Sequence, residues 1–316
     1  MIYTCTLNPA IDYRIRTDHL SLGSLNRFHE ATFKAGGKGI NVSIVLSKFG
    51  IESIATGFLG GFTGAFIASE LTQYPQIQHR FIKVKDNTRI NVKIMNQGVE
   101  TELNPVGPKI SESEIEELLQ QIDQLGKNDI LICGGSSAVG YPDLYEKIAK
   151  HCQNNQIQFI MDTPGHDLSQ FISYRPFLIK PNIHELEAYF ETSISTLPMM
   201  IHYGQRLIMQ GAEHVLLSMG AKGSILLTQD HIYRASLVSG HIKSTVGAGD
   251  SMVAGFVAGF LKTQDVKQAY QYAVACASAS IYGNELGDPS LFNEIIRSIS
   301  IEEIHDIDHK EGFFRE

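Results

Sequence analysis

Residues 129–163, DILICGGSSAVGYPDLYEKIAKHCQNNQIQFIMDT, set the architecture of the chain. Two short apolar runs, DILICGG and IQFIMDT, flank an amphipathic segment, YPDLYEKIAKHC. Apolar runs of this length, bounded by glycine, proline or asparagine, suit strands buried on both faces, and the segment between them suits a crossover helix. The alternation continues through FLIKPN, IHELEAYF and HVLLSMG, between residues 177 and 220. It predicts an α/β fold, a doubly wound and mostly parallel sheet flanked by helices.

The first third of the chain differs. IYTCTL has the make-up of a buried strand, and KGINVSIVLSKFG that of a helix closed by Gly50. SLNRFHEATFKAG (24–36) and TRINVKIMNQGVETELNP (88–105) instead alternate with period two and carry polar residues on one side. Half-exposed strands do not belong in the middle of a buried parallel sheet. They predict a small antiparallel sheet, a lid formed by about 12–34 and 87–106, projecting from a single domain that takes in residues 1–316. One apolar face of the lid then needs a cover, from the active site or from a second subunit.

Bulk properties narrow the function. A chain of 316 residues can bury a large core, and 43% hydrophobic with 19% charged residues is ordinary for a globular protein. A formal charge of −8 argues against a general binder of nucleic acid or anionic membrane. MIYTCTLNPAID lacks the basic start and long apolar run of a signal peptide, and no stretch reaches the length of a membrane span. Cys5, Cys133, Cys152 and Cys276 show no metal spacing. The expectation is buried thiols in a cytoplasmic protein.

The glycine-rich stretches carry the chemistry. No GxxxxGK[ST] occurs, since GGKGIN (36–41) has no Ser or Thr after its lysine. No complete GxGxxG follows a strand either, because GAGDSM puts Met252 in the third glycine's place. GAGD still has a physical meaning. Gly247, Ala248 and Gly249 can present bare N–H groups at the start of a helix running through Phe260, which is a ready anion site. Asp250 falls in its first turn, where the dipole favours the carboxylate. An anion hole beside a carboxylate suits phosphoryl transfer to an alcohol, although a plain N-terminal cap accounts for Asp250 equally well.

KPNIHEL (180–186) places Asn182 and Glu185 three apart at a strand-to-helix turn. They fit a capping box, and they also fit water-mediated Mg²⁺ binding. LSMGAKGSILL offers Ser218, Gly220 and Gly223 in a turn between strands, against a nucleotide or as a plain hairpin. The lid adds Arg27, Arg89 and Lys93, an excess of cations in an acidic protein, with Arg89 and Lys93 on one strand face or simply solvated.

In this order, NPAID, AGGKGIN, TRINVKI, KPNIHEL, LSMGAKG and TVGAGDS resemble the PfkB (ribokinase-like) carbohydrate kinases, over nearly the whole chain. The branch most resembled contains 1-phosphofructokinase and tagatose-6-phosphate kinase. The resemblance implies transfer from ATP, with Mg²⁺, to a sugar-phosphate hydroxyl. By position it makes Asp250 the base and Gly247, Ala248 and Gly249 the anion hole. It assigns Asn182 and Glu185 to Mg²⁺ and the phosphates, and Lys180, Ser218, Gly220, Gly223, Ser244 and Val246 to the nucleotide. It assigns Asp12, Gly36, Gly37 and Asn41 to sugar hydroxyls, and Arg27, Lys38, Arg89, Asn91 and Lys93 to the existing phosphate. It also implies a homodimer through the lid.

TRINVKI and VACASAS (274–280) are similar to the 1-phosphofructokinase versions, which favours fructose 1-phosphate going to fructose 1,6-bisphosphate over tagatose 6-phosphate as substrate. GGSSAVGYP (134–142) departs from the family's GS-hydrophobe-P turn, with Gly135 at the serine position and Ser137 at the proline. Ser136 is the candidate substitute ligand there. A catalytically silent sugar-phosphate-binding protein is the rival from another class. A kinase for a free sugar would have no need of the lid cations.

Overall fold

In the computed structural model, which describes residues 1–305, the chain forms two compact units that divide between Thr163 and Pro164. The first unit opens with β1 (Ile2–Thr6), β2 (Ala10–Thr17), β3 (Glu30–Gly36) and α1 (Lys38–Lys48). There follow β4 (Ser53–Gly60), α2 (Gly61–Leu71), β5 (Ile77–His79), β6 (Ile82–Val84), β7 (Arg89–Asn96) and β8 (Val99–Leu103). It closes with α3 (Glu112–Asp123), β9 (Ile130–Gly134), α4 (Leu144–Asn154) and β10 (Gln158–Asp162).

Its main sheet is parallel, in the order β10-β9-β1-β4-β5. Every residue of β4 and β9 is buried, as strands covered on both faces require. Helix α1 is tied to this sheet from its first turn. Thr6, at the end of β1, accepts a hydrogen bond from the Ile40 N–H at 3.2 Å and so takes up one of the helix's orphan donors. Gly50 then ends the segment at φ 71°.

The second sheet of this unit is the lid, ordered β3-β2-β7-β8. Its outer pairs are antiparallel as expected, whereas the central pair β2–β7 runs parallel. Alternation along one strand reports which face a side chain takes, not the direction of a partner 79 residues away. The turn from β7 to β8 uses Gln97 and Gly98, both at positive φ, which is the conformation a tight hairpin needs. The stretch 24–36 becomes a strand only from Glu30. Ahead of it, the Asn26 side chain binds the backbone at Ser21 and Ser24 and closes a local loop.

Register divides the lid into two faces. Asp12, Lys34 and Asn91 are partners, as are Arg14, Thr32 and Lys93, so one face is polar. Tyr13, Phe33, Val92 and Leu103 fall on the other. There Ile11, Ala35 and Ile90 pack with Ile67 and Leu71 of α2, while Phe33 remains 51% exposed.

The second unit contains α5 (Leu168–Phe171), β11 (Leu178–Ile179), α6 (Ile183–Phe190), α7 (Leu197–Gln210) and β12 (Val215–Ser218). After these come β13 (Ser224–Leu227), β14 (Ile232–Ala235), α8 (Ala248–Thr263), α9 (Val266–Tyr282), α10 (Pro289–Ile295) and β15 (Ile301–Glu303). Strand β11 pairs parallel with β12, and β12-β13-β14-β15 continue as an antiparallel ladder. FLIKPN yields only a two-residue strand, because Pro181 has no N–H to give the ladder. Residues 250–259 of α8 are all buried. Gly255 and Gly259 let the backbone of α9 come close, since a Cβ at either would stand 3.0 Å or less from an α9 Cα. All four cysteines are buried, and none is in a disulfide. No helix among the described residues is long and apolar enough to cross a membrane.

Candidate active site

The polar face of the lid is a network of paired side chains. Asp12 accepts from the Asn91 amide at 3.1 Å, and its other oxygen lies 3.6 Å from the Lys93 ammonium. Lys93 also lies 3.6 Å from Glu102, directly across the β7–β8 ladder. The Glu102 carboxyl is held below its ordinary range, first by the Asn104 amide and then by Lys93. Gly36 is what lets Asp12 settle here, because a Cβ on it would sit 3.0 Å from the carboxylate carbon. Asn41 lies on α1 and donates its backbone N–H to the Gly37 carbonyl.

Arg89 is held differently. Its guanidinium donates to the carbonyls of Asn8 and Pro105, each at 3.0 Å, and its buried Nε has no partner. No carboxylate bonds it among the described residues. Burial lowers its pKa, and the charge of nearby Asp12 offsets this in part. An arginine stays protonated under such shifts. A half-buried cation bonded only to neutral carbonyls is electrostatically incomplete and favours an incoming anion. The oxygens of Asn91 and Asn8 are likewise buried without partners, so this face keeps hydrogen-bonding capacity in reserve.

The other expected cations fare unequally. Lys38 is paired with Asp162 at 2.8 Å, and Asp162 is 3% exposed at the end of β10. Gly134 leaves room for the lysine stem. Arg27 is exposed in the irregular segment before β3 and bonds to none of these groups. Ser136 is exposed in the irregular loop after β9, where it accepts from the Asn8 amide at 3.3 Å. Ser137 is turned inward, onto the Tyr141 carbonyl.

In the second unit the chemistry is mostly backbone. Gly247 is the N-cap of α8 at φ 75°, a conformation that favours glycine. The Ala248 N–H turns back toward the Thr245 carbonyl at 3.3 Å, so it is a poorer anion donor than expected. The Gly249 N–H makes no such bond among the described residues. Asp250 is 7% exposed in the first turn. Buried Lys180 brings its ammonium beside the same turn, 3.1 Å from where a Gly249 Cβ would be. A lysine charge, the Gly249 N–H and the helix dipole therefore act together on one small volume.

Asn182 and Glu185 form the capping box. Asn182 Oδ1 accepts from the Glu185 N–H at 2.9 Å, and the Asn182 N–H donates to Glu185 Oε2 at 2.8 Å. Glu185 Oε1 is left without a bond among the described residues. Ser218 bonds back to the Pro181 carbonyl next to this turn. Gly220 and Gly223 sit at positive φ between β12 and β13, with Leu237 packed on Gly223. Ser244 and Val246 share a local bond in the strap leading to α8. Asp162 and Asn8 escaped the sequence reading. Asn8 was within reach as the first letter of NPAID, whereas nothing local marks Asp162.

The model of the pfkB family of carbohydrate kinases matches residues 5–290. The chain belongs to that family. It is 40% identical to a 1-phosphofructokinase of Bacillus subtilis, over 95% of this chain and 99% of the relative. It is 36% identical to a D-tagatose-1-phosphate kinase of Bacillus licheniformis, over 95% and 99%. A structure of phosphofructokinase-2 from Escherichia coli with substrates and products superposes with a TM-score of 0.88, at 25% identity over 94% and 98% of the two chains. The fold is thus the ribokinase-like one, a large mostly parallel sheet with helices and a small separate sheet.

Proposed function

We propose that this kinase transfers the γ-phosphoryl group of ATP to a hydroxyl of a ketohexose 1-phosphate, fructose 1-phosphate giving fructose 1,6-bisphosphate. Arg89 carries the choice of a phosphorylated acceptor, because it is a half-buried lid cation whose hydrogen bonds go only to backbone carbonyls. Its planar fork is suited to phosphate oxygens. Asn91, Lys93 and Asp12 orient the sugar hydroxyls and the phosphate beside it, together with Gly36, Gly37, Asn41, Ser136, Lys38 and Arg27. Lys38 enters this role already balanced by Asp162.

Charge on the transferring phosphoryl is taken up at the start of α8 by the Gly249 N–H and its neighbours, reinforced by Lys180. Asp250 accepts the proton of the attacking hydroxyl. In a loose transition state that proton leaves late, so the orientation of the carboxylate counts for more than its basicity. Ser218, Gly220, Gly223, Ser244 and Val246 line the nucleotide. Mg²⁺ fits the donor set: Glu185 offers one unused hard oxygen, and Mg²⁺ keeps several waters and phosphate oxygens rather than demanding a protein cage. When bound it neutralises phosphate charge.

The tagatose readings keep the chemistry and change the sugar. Initial rates on fructose 1-phosphate, tagatose 1-phosphate, tagatose 6-phosphate, fructose 6-phosphate and free fructose separate them. Fructose 1-phosphate is expected to have the highest kcat/KM. Equal rates on free fructose would remove the role of Arg89, and absence of transfer to every sugar would favour the binding-protein reading. The exposed Phe28, Phe33, Leu22 and Leu25 of the lid are the proposed dimer contact, and light scattering of Phe33→Glu tests it.

A further inference from the structure

VACASAS ends in Ser280, a residue with no place in the chemistry above. It is 4% exposed on α9, and a chain of hydrogen bonds passes through it. The Gly287 N–H donates to Ser280 Oγ at 2.6 Å. Ser280 Oγ donates to Ser251 Oγ at 2.7 Å, with the Cys276 carbonyl as an alternative acceptor at 2.9 Å. Ser251, wholly buried, donates from Oγ to the Gly247 carbonyl at 2.9 Å, and its N–H reaches the same oxygen at 2.9 Å. The direction is consistent from end to end, since each hydroxyl accepts one proton and gives one.

Helix serines commonly bond to their own carbonyl four residues back, and that alone would be local. Two features go beyond it. The Ser280–Ser251 bond crosses from one helix to another. The chain also ends on the cap of α8, whose carbonyl is fixed to the same rigid peptide plane as the following N–H. Holding that oxygen with both donors of Ser251 fixes how the turn 247–250 presents its donors and the Asp250 side chain. At the other end, the loop 283–288 feels the same constraint. Leu286 packs on Gly247, and Asn284 accepts from Lys243 in the strap before α8.

We infer that Ser251 and Ser280 are positioning residues, a buried hydroxyl relay that locks the anion-binding turn of α8 to the loop 283–288. The inference rests on the kinase reading only for its kinetic consequence. Ser280→Ala should lower kcat about tenfold and leave KM for fructose 1-phosphate within about twofold. Ser251→Ala should do the same, the double variant should lose no more than either alone, and Ser280→Thr should recover most of the rate. Ser43→Ala is the control, because it breaks a comparable buried hydroxyl cluster, Thr4–Ser43–Ser53, that lies outside the site. It should lower stability without touching kcat.

Amide hydrogen exchange gives a second readout that needs no substrate. In Ser280→Ala, exchange should quicken in residues 247–251 as well as in 283–288. Losses in kcat that multiply in the double variant, or faster exchange confined to 283–288, would overturn the relay. Absence of sugar-phosphate transfer by the wild type would overturn the kinase reading alone, and the exchange pattern would still decide the relay.

Discussion

The two units hold charge in opposite ways. In the first unit most of these ions are held by other ions: on the lid Asp12 by Lys93 and Lys93 by Glu102, and at the main sheet Lys38 by Asp162. At the start of α8 in the second, an anion would meet backbone N–H groups, a helix dipole and one buried lysine. A side-chain network shares its load and yields gradually when one member goes. A backbone turn has no spare member, and its geometry is either kept or lost.

The sharpest way to break this contrast is at Asp250. Asp250→Asn should cut kcat by roughly 10³-fold while ATP affinity, read by calorimetry, stays within about twofold. Retained turnover would remove the proposed base. The lid should respond differently. Arg89→Met should raise KM for fructose 1-phosphate about thirtyfold with kcat little changed, and Lys93→Met, whose charge is already shared, about threefold. Equal effects at the two positions would erase the distinction between the paired and the unpaired cation.

Asn182 and Glu185 let cap and metal roles be separated. Glu185→Gln can keep the capping bond while losing charge, so thermal stability should hold while the Mg²⁺ concentration for half-maximal rate rises several-fold. Asn182→Ala should cost about 1 kcal/mol of stability in urea unfolding, the ordinary worth of a cap. The smallest effect concerns pH. His214 donates its Nδ1–H to the Phe177 carbonyl at 2.7 Å and packs on Phe177, and burial holds its pKa below the ordinary 6.5. The unfolded chain therefore binds the proton first as pH falls. Stability is complete above about pH 6.5 and declines below it, by at most about 1.4 kcal/mol per pH unit, and His214→Gln should flatten that slope.

Legibility in the sequence followed the same division. GAGD, AGGKGIN and KPNIHEL could be read because a close approach, a positive φ or a cap constrains single letters within a few positions. The partners of the expected cations could not. Lys38 and Asp162 are 124 residues apart, and neither has a neighbour that announces the other. The parallel pairing of β2 with β7 was hidden for the same reason, whereas the alternation that makes each of them a lid strand is local. Ala248 was misjudged as an open donor because its turn bond to Thr245 depends on a backbone bend that composition does not show.

The strict division of the lid into a polar and an apolar face bears on how this protein can vary in length. One residue inserted within β7 would shift its register and exchange Asn91 and Lys93 for apolar neighbours, presenting isoleucines on the polar face and charges to α2. The irregular segment between β2 and β3 has no such accounting, since no ladder runs through it. Natural or designed insertions should therefore gather there and at the β7–β8 turn, while the strands stay fixed in length even as their side chains drift.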